Sequence, residues 1–416
     1  MKHVCVLGLG YIGLPTAALL ASAGYSVDGV DTNPSVVEAL QSGRVHIAEQ
    51  GLLSAVRAAI ESGNLRIRPA PVNADVFLIA VPTPLKEQRA DLRYVESAAG
   101  NVSDRLAAGN LVILESTVPP GTTAEVVAPI LERSGLRAGV DFHLAYCPER
   151  VLPGKILKEL VENDRIIGGL TPESAVAAQE FYCACVKGSL HLTDANTAEL
   201  VKVVENASRD LSIAFSNELA RICMKLGIDV WTVIELANHH PRVNLLSPGP
   251  GVGGHCLPID PWFIVEKAPE LARLIRVARE INDEQPGVVV QLVRDLVEND
   301  SNPRVAILGV AYKADIDDAR ESPGWAIVDL LEEAGYSVAV TDPLVDAARH
   351  PLLPLEDAVS GSDCLVLVTN HHQFADLDPL EVGPLMRHRR LVDTRGVLDR
   401  DAWRNAGFET RVLGRP

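Results

Sequence analysis

Residues 3–31 read HVCVLGLGYIGLPTAALLASAGYSVDGVD and carry the clearest structural signal in the chain. Their pattern, a β-rich apolar run, a helical period and a second β-rich run, predicts a strand, a helix and a parallel strand. Gly8, Gly10 and Gly13 stand in GxGxxG register in the first turn. Asp31 ends the second strand, where a carboxylate can accept hydrogen bonds from a ribose diol. We interpret this unit as a dinucleotide-binding turn rather than a structural glycine-rich turn, and Asp31 favours NAD because its charge repels the 2′-phosphate of NADP.

The same order of strand, turn, helix and strand is repeated near the carboxyl terminus. Residues 303–343, PRVAILGVAYKADIDDARESPGWAIVDLLEEAGYSVAVTDP, repeat strand, turn, helix and strand, and ADVFLIAVPTP at 74–84 is echoed by SDCLVLVTNHH at 362–372. The second copy lacks the glycine fingerprint and has gained Lys313 and Arg320, which are cations suited to phosphate groups. The sequence therefore predicts an α/β protein with two Rossmann-like doubly wound domains, of which the second binds a different ligand.

One long helix is predicted between the two halves. The segment TDANTAELVKVVENASRDLSIAFSNELARICMKLGI at 193–228 offers Asp194 and Thr197 as N-caps and has no proline or glycine before Gly227. Its polar face is either solvated or lines a site, and it carries Glu199, Lys202, Asn206 and Arg209 at spacings of three and four. A second, apolar face predicts packing against a copy of itself in a two-fold homodimer, with core packing inside one subunit as the alternative. Its residues are Leu211, Ala214, Phe215, Leu219 and Ile222.

Composition excludes several classes of protein. The 416 residues are 47% hydrophobic and carry a net charge of −17, which argues against binding to nucleic acid or to an anionic membrane surface. The amino terminus has no secretory signal pattern, and no apolar run is long enough to span a bilayer, so we expect a cytoplasmic protein. Seven scattered cysteines form no CxxC spacing, so neither a disulfide framework nor a metal site is predicted.

Two strands of the first half end in threonine-containing turns. ADVFLIAVPTP and NLVILESTVPPGT place Thr83 and Thr117 at the carboxyl ends of strands, the edge where open α/β sheets bind ligands. Both are candidate cofactor neighbours, although threonine also ends strands for purely local reasons.

Cys256 lies in the sequence GVGGHCLPIDP at 251–261. Glycines allow a ligand to approach the backbone, so the loop predicts either a reactive thiol or a tight turn around an inert cysteine. Oxidation of an alcohol by hydride transfer needs no nucleophile, but oxidation of the resulting aldehyde does. A thiolate would add to the aldehyde, a second hydride would leave, and the thioester would be hydrolysed.

The other groups that this chemistry needs are present in the sequence. Lys202 and Asn206, one helical turn apart, could stabilise an oxyanion by charge and by an amide N–H. Glu149 and Asp260 are candidate bases for the water that hydrolyses the thioester.

The motifs together resemble the UDP-glucose/GDP-mannose dehydrogenase family. They occur in order along essentially the whole chain and read GLGYIG, VPTP, STVPPGT, CPERVLPGK, ELVKVVENASRD, HHPRVNLLSPGPGVGGHCLPIDPWF and YKADIDDARESP. The resemblance implies a nucleotide-sugar 6-dehydrogenase that makes a uronate with two NAD. It also implies an NAD-binding Rossmann domain at 1–190, a central helical and dimerisation region with the catalytic loop at 191–300, and a UDP-sugar-binding Rossmann-like domain at 301–416.

The resemblance implies specific roles for individual residues. Cys256 becomes the nucleophile, Lys202 the general acid/base or oxyanion partner, and Asn206 and Asp260 their assistants, with Glu149 and Thr117 near the catalytic water. The substrate set is Arg150, Val151, Lys202, Asn206, Arg209, His240, Arg242, Gly253, Tyr312 and Lys313, of which His240 and Arg242 could come from the neighbouring subunit. The cofactor set is Gly8, Gly10, Tyr11, Ile12, Gly13, Asp31, Thr83, Thr117 and Arg320.

The stretch HPRVN…PGPGVGGHC…DPWF resembles the branch of the family that acts on UDP-N-acetylated hexosamines. UDP-N-acetyl-D-mannosamine is the first expected substrate, with UDP-N-acetylglucosamine and then UDP-glucose as alternatives. Two rival interpretations are a two-electron hydroxyacid dehydrogenase and a non-catalytic nucleotide-sugar or NAD sensor. The first does not explain the Cys256 loop, and the second does not explain the presence of lysine, asparagine and cysteine together.

Overall fold

The structure, a computed structural model, describes residues 2–47, 49–298, 300–346 and 349–416. The chain divides into two compact units. The first comprises Met1–Glu205 and Trp262–Pro269, and the second comprises Asn206–Pro261 and Glu270–Pro416. The three-domain division expected from the sequence stays a prediction. Within the described ranges, no helix combines the length and the apolar composition that crossing a membrane requires.

The first unit is built on an eight-stranded sheet and a small hairpin. Its strands are β1 (His3–Leu7), β2 (Ser26–Val30), β3 (Leu65–Arg68), β4 (Val76–Ile79), β5 (Leu85–Lys86), β6 (Arg89–Ala90), β7 (Leu111–Leu114), β8 (His143–Tyr146), β9 (Arg165–Gly169) and β10 (Leu190–Asp194). Its helices are α1 (Gly13–Ser22), α2 (Pro34–Gln41), α3 (Leu52–Glu61), α4 (Arg93–Ser103), α5 (Ala128–Leu131), α6 (Ile156–Glu162) and α7 (Pro172–Tyr182). A π-helical segment covers Thr123–Val127 and a 3-10 turn covers Glu132–Ser134.

The large sheet has the order β10-β9-β8-β7-β4-β1-β2-β3. Read from β3 to β8, this is the 3-2-1-4-5-6 order of dinucleotide-binding folds. Its neighbouring strands are parallel except β8 and β9, which pair antiparallel. The order reverses between β1 and β4, and ligands bind at the carboxyl ends of strands at such a point.

Both faces of this sheet are covered. Val4 and Val6 of β1 pack into one core cluster with Leu14 of α1, whereas Cys5 and Leu7 pack into another on the opposite face. Successive side chains of a strand point to opposite faces, so an uninterrupted apolar strand indicates helices on both sides. The residues that can meet a ligand are therefore those of the turns at the sheet edge.

Two helices cross the boundary between the units, α8 (Ala195–Leu226) and α10 (Asp260–Lys267). The predicted long helix is confirmed, because α8 has 32 residues. The predicted cap is also present, since the backbone N–H and the hydroxyl of Thr197 donate to the Asp194 carboxylate at 2.9 and 2.6 Å. Asp210, further along α8, forms a fully buried ion pair with Arg279.

The second unit contains a five-stranded parallel sheet of order β12-β11-β13-β14-β15. Its strands are β11 (Arg304–Leu308), β12 (Ser337–Thr341), β13 (Cys364–Leu367), β14 (Arg390–Asp393) and β15 (Glu409–Val412). Its helices are α9 (Val230–Asn238), α11 (Arg273–Val297), α12 (Pro323–Glu333), α13 (Leu355–Val359), α14 (His372–Ala375), α15 (Pro379–Val382) and α16 (Arg400–Asn405), with a 3-10 turn at Gly383–Leu385. The predicted fold class, two Rossmann-like doubly wound domains with a central long helix, is confirmed.

Candidate active site

The turn between β1 and α1 contains three glycines that are needed for different reasons. Gly8 has a φ of +92°, and a Cβ there would lie 2.4 Å from the carbonyl oxygen of Ala80. A Cβ at Gly13 would lie 1.8 Å from the carbonyl oxygen of Gly8, whereas a Cβ at Gly10 would have no described atom within 4 Å. Close packing at the third glycine and open space at the second are what the pyrophosphate of a dinucleotide requires. The residues of this turn therefore fit that cofactor.

Asp31 is fixed against the same turn. Its Oδ2 accepts the backbone N–H of Leu9 at 3.0 Å, and its Oδ1 accepts the backbone N–H of Asn33 at 2.8 Å. The residue is half-buried, and a carboxylate has about four lone-pair sites, so acceptor capacity remains for a ribose diol. Tyr11 and Ile12, the other predicted cofactor residues of the turn, are also half-buried.

The turns after β4 and β7 are tied together at the carboxyl edge of the sheet. The hydroxyl of Thr83 donates to the carbonyl of Thr117 at 2.6 Å. The hydroxyl of Ser116 accepts the N–H of Val81 at 2.9 Å and donates to the carbonyl of the same residue at 2.7 Å. The two predicted threonines are thus neighbours beside the strand-order reversal, and Ser116 is a supporting residue that the sequence reasoning missed.

Glu149 follows β8 and is buried with both carboxylate oxygens engaged. Oε1 lies 2.9 Å from Nη2 of Arg165, and Oε2 accepts the backbone N–H of Arg150 at 3.0 Å. The Arg150 guanidinium itself donates to Glu205 at 2.6 Å. Arg150 and the half-buried Val151, both expected to contact substrate, therefore lie beside Glu149. The Arg150 side chain is paired with the Glu205 carboxylate.

The polar face of α8 is not uniformly solvated. Glu199 is fully buried and accepts hydrogen bonds from the N–H of Gly121 at 2.6 Å, and from the N–H and the hydroxyl of Thr123 at 2.7 and 2.6 Å. Burial raises the pKa of this carboxyl above its ordinary value, although these hydrogen bonds oppose the shift. Glu199 thus anchors the turn that follows Thr117, and Lys202, one turn further along α8, is also buried.

In the second unit, Cys256 is exposed and stands one backbone turn before α10. Its carbonyl oxygen accepts the N–H groups of Ile259 at 3.1 Å and Asp260 at 2.8 Å. Asp260 is buried, and its Oδ2 accepts a hydrogen bond from Nδ2 of Asn206 at 2.6 Å. Asn206 and Asp260, 54 positions apart in sequence, are therefore in contact, and Cys256 lies one backbone turn before Asp260.

The glycines before the cysteine make room for the neighbouring loop. A Cβ at Gly253 would lie 2.6 Å from the carbonyl oxygen of Glu321 and 2.8 Å from Cβ of Tyr312. Gly254 has a φ of +90°, and a Cβ there would lie 3.1 Å from the Tyr312 ring. The predicted substrate residues Gly253 and Tyr312 are thus in contact, and the conformational freedom of the glycines is used for this close approach.

His255 and Arg320 lie near one another in this unit. Partial desolvation of the ring and, next, the Arg320 charge lower the pKa of His255, although the residue keeps part of its surface exposed. A lowered pKa disfavours the charged imidazole, and a neutral imidazole supplies no positive charge to a thiolate. Arg320, predicted as a cofactor residue, donates to Asp318 at 2.8 and 2.6 Å and is exposed.

Four predicted substrate residues are exposed. They are Arg209 on α8, His240 and Arg242 in the loop after α9, and Lys313 in the loop after β11. The backbone N–H of Arg242 meets Nδ1 of His240 at 3.3 Å. All four are available to a ligand, and three of them carry the local positive charge that an acidic protein needs to hold a diphosphate.

The turn after β11 is fixed by the aspartate that follows the next strand, as the turn after β1 is fixed by Asp31. The N–H groups of Val310 and Ala311 donate to Oδ2 of the buried Asp342 at 2.7 and 3.0 Å. The fully buried His371 lies 3.2 Å from the same oxygen through Nε2. The second half therefore keeps the contact between carboxylate and turn amide that Asp31 makes in the first half, and adds to it the N–H of Ala311 and a buried histidine.

Arg165 and Arg395 were not among the predicted site residues. Arg165 holds Glu149, as given above. Arg395 follows β14, and its Nε donates to the carbonyl of Val368 at 2.8 Å. A Cβ added at Gly249, two residues before the Cys256 loop, would lie 3.0 Å from Nη1 of Arg395. Burial lowers the pKa of Arg395 to about 10. Arg395 could have been predicted as a site residue, because it follows a parallel strand at the carboxyl edge of the sheet, where ligands bind. The sequence around Arg165 contains no comparable signal.

Comparison with known proteins gives a consistent result over the chain. Three models of the UDP-glucose/GDP-mannose dehydrogenase family match: the NAD binding domain at residues 2–186, the central domain at 196–284 and the UDP binding domain at 306–400. A UDP-N-acetyl-D-mannosamine dehydrogenase of Methanococcus maripaludis is 46% identical over 100% of this chain and 97% of its own length.

Two further proteins are similar over nearly the whole chain. An NDP-N-acetyl-D-galactosaminuronic acid dehydrogenase of Ralstonia solanacearum is 47% identical over 95% of this chain and 96% of its own. The solved structure of a UDP-D-ManNAc dehydrogenase from Pyrococcus horikoshii has a TM-score of 0.94 and 42% identity, covering 99% of both chains.

Proposed function

Because the chain belongs to the UDP-glucose/GDP-mannose dehydrogenase family and is an NAD-dependent nucleotide-sugar dehydrogenase, we propose that it oxidises the C6 hydroxyl of UDP-N-acetyl-D-mannosamine to the uronate through Cys256. The names of the relatives support the substrate. The observation that carries the mechanism is the exposed Cys256 one turn before Asp260, whose carboxylate is held by Asn206.

The cofactor is held by the first unit in this proposal. The turn Gly8–Gly13 with Tyr11 and Ile12 would hold the pyrophosphate, Asp31 the ribose, and Thr83 and Thr117 the nicotinamide end, and Arg320 is a further predicted cofactor residue. NAD, when bound, accepts the hydride that leaves the substrate in each of the two oxidations.

The first oxidation converts the C6 hydroxymethyl group to an aldehyde. A hydride leaves the carbon, and the hydroxyl proton passes to a base. Lys202 takes this role, since it is buried on α8 one helical turn from Asn206. The hydrogen bond from Asn206 to Asp260 keeps that amide in one orientation.

The second oxidation proceeds on the cysteine. The Cys256 thiolate adds to the aldehyde carbon, so that a carbon–sulfur bond forms and the carbonyl oxygen becomes an oxyanion. The second N–H of the Asn206 amide and the Lys202 ammonium stabilise this charge, and such a donor contributes about 3 kcal/mol. Loss of a second hydride from the same carbon restores the carbonyl group as a thioester.

Hydrolysis then releases the acid. Water adds to the thioester carbonyl, the carbon–sulfur bond breaks, and Cys256 leaves as a thiolate. Glu149 accepts the proton of the water, with Asp260 as the alternative base and Thr117 near the water. One alcohol, one water and two NAD thereby give one carboxylate, two NADH and three protons.

The substrate is held by local cations and by the loop around Cys256. Lys313 and Arg242 meet the diphosphate, because an anionic ligand needs nearby positive charge in a protein of net charge −17. The remaining substrate contacts come from Arg150, Val151, Arg209, His240, Gly253 and Tyr312. A pocket that hydrogen-bonds an N-acetyl group leaves those partners unpaired when a hydroxyl replaces it, so UDP-glucose should be a poorer substrate.

A two-fold homodimer through α8 is part of the proposal. Of the predicted apolar face, Ala214 is buried and Leu219 packs against a core cluster, while Leu211 is half-buried. Phe215 and Ile222 keep 52% and 47% of their surface exposed, which a second copy would cover. The cytoplasmic location expected from the sequence stays a prediction.

The test is the NADH yield per sugar on a panel of UDP-sugars. Two NADH per UDP-N-acetyl-D-mannosamine, with formation of the uronate, support the proposal. One NADH per sugar indicates a two-electron dehydrogenase, and no NADH with any sugar indicates a sensor. The name of the Ralstonia relative favours a second candidate substrate, an NDP-linked N-acetyl-D-galactosamine. A higher kcat/KM with that sugar, or with UDP-N-acetylglucosamine, would reassign the substrate, and preference for UDP-glucose would overturn the interpretation of the HHPRVN loop.

A further inference from the structure

A buried ionic cluster lies behind Glu149 in the first unit. Arg165, the first residue of β9, is 4% exposed and places Nη2 2.9 Å from Oε1 of Glu149. The same guanidinium donates to the carbonyl of Leu160 at 3.2 Å and stacks on the Tyr182 ring at 4.5 Å. Its Nη1 lies 3.8 Å from Oε1 of Glu115, a second carboxyl that is also buried. Arg165 is therefore held in one plane by groups on several elements.

From this geometry we propose that Arg165 is a positioning residue that holds the Glu149 carboxylate in one orientation for thioester hydrolysis. The inference rests on the proposed function, because it assumes that Glu149 accepts a proton from the hydrolytic water. It goes beyond that function by assigning a role to a residue that has no place in the motif set.

The protonation states of the neighbours direct the Arg165 charge towards Glu149. Burial raises the pKa of Glu115 to about 7 and that of Cys147, whose Sγ is 4.0 Å from Nη1, to about 12. Burial also raises the pKa of Tyr182, which donates to Glu115 at 2.5 Å. The charged forms of these three neighbours are thus disfavoured by burial, and Glu149 is the carboxylate that Arg165 meets at hydrogen-bonding distance.

The orientation of Glu149 is set from two sides. Arg165 contacts one carboxylate oxygen, and the backbone N–H of Arg150 donates to the other at 3.0 Å. A planar guanidinium fixes the direction of its hydrogen bonds, whereas an ammonium is a point charge on a flexible stem. Replacing Arg165 by lysine therefore keeps the charge and removes the geometry, which separates positioning from simple charge balance.

The experiment follows the fate of Cys256 in Arg165→Lys. Slow hydrolysis should let the uronyl thioester accumulate, so that two NADH per active site appear in a burst and the peptide 251–261 gains the mass of the adduct. We expect kcat to fall about tenfold or more, because a displacement of about 1 Å in a catalytic group costs up to about 100-fold, with KM little changed. A merely structural role would lower the amount of folded enzyme without any adduct.

Two further variants make the result decisive. Arg390→Lys alters an arginine–carboxylate pair with Asp300 in the second unit and serves as the matched control, in which no adduct should accumulate. Where Arg165→Lys does not fold, the same readout is taken in Arg165→Lys combined with Glu115→Gln, which removes the second titratable carboxyl beside residue 165.

Wild-type kcat in folded Arg165→Lys, or a loss of both oxidations without adduct, would overturn the assignment of Arg165 while the proposed function stands. A wild-type enzyme that forms no second NADH would overturn both, because Glu149 would then have no thioester to hydrolyse.

Discussion

The Glu115→Gln substitution tests the burial of an acid at the centre of the first unit. Glu115 is fully enclosed, and its Oε2 has no hydrogen-bond partner in the described part of the chain, while Oε1 accepts from Tyr182. Burial is the largest influence and raises the pKa of this carboxyl from 4.5 to about 7, against the opposing charge of Arg165. Glutamine keeps the shape and the acceptor oxygen but does not titrate.

The sign and size of the effect follow from linkage. Between pH 4.5 and about 7 the unfolded chain has lost the Glu115 proton and the folded chain has kept it, so wild-type stability falls as pH rises through this window and levels off above it. At about 1.36 kcal/mol per pKa unit, the contribution is about 3 kcal/mol. The Glu115→Gln variant does not undergo this pH-dependent loss of stability. The difference in free energy of unfolding, variant minus wild type, should therefore increase by about 3 kcal/mol from pH 4.5 to pH 7.5.

The assay is urea denaturation of both proteins at several pH values, with circular dichroism and fluorescence compared to establish that the transition is two-state. Subtracting the wild-type free energy of unfolding from that of the variant at each pH cancels the contributions of the other titrating groups. A pH-independent effect of the acid-to-amide change does not alter how this difference varies with pH. If the two stability curves run parallel from pH 4.5 to 7.5, Glu115 titrates normally and the reasoning from burial is wrong.

The remaining predictions concern the cofactor, the thiol and the assembly. Cys256→Ser should stop uronate formation, because a hydroxyl is a far poorer nucleophile at neutral pH, and wild-type turnover in this variant would refute the mechanism. Asp31→Ser should raise the ratio of kcat/KM for NADP to that for NAD by about tenfold or more, as expected for the loss of one charged hydrogen-bond acceptor, and an unchanged ratio would remove its role. Gly13→Ala should destabilise the protein by more than about 3 kcal/mol in thermal or urea unfolding, since its Cβ would lie 1.8 Å from the Gly8 carbonyl oxygen. Light scattering at micromolar concentration should give a dimer mass that Phe215→Glu converts to a monomer mass, and a monomeric wild type would favour core packing alone.

The sequence by itself determined the elements whose signals are local. The apolar period and the glycine spacing of residues 3–31 predicted β1, the dinucleotide turn and α1, and the repeat at 303–343 predicted β11 and α12. The absence of helix breakers before Gly227 predicted α8. Such signals suffice because backbone conformation and burial on one face depend on residues within about one or two turns of each other.

Only the tertiary structure decided how the charged residues are used. Glu199 and Thr123 are 76 residues apart, and their hydrogen bond makes a residue of the polar face of α8 a buried anchor. Arg165 reaches Glu149 from β9, which runs antiparallel to β8, and Asp342, which follows β12, accepts the backbone N–H groups of Val310 and Ala311. A sequence pattern does not distinguish these charged side chains from solvated ones, because their burial is stabilised by partners that only the folded chain brings within hydrogen-bonding distance.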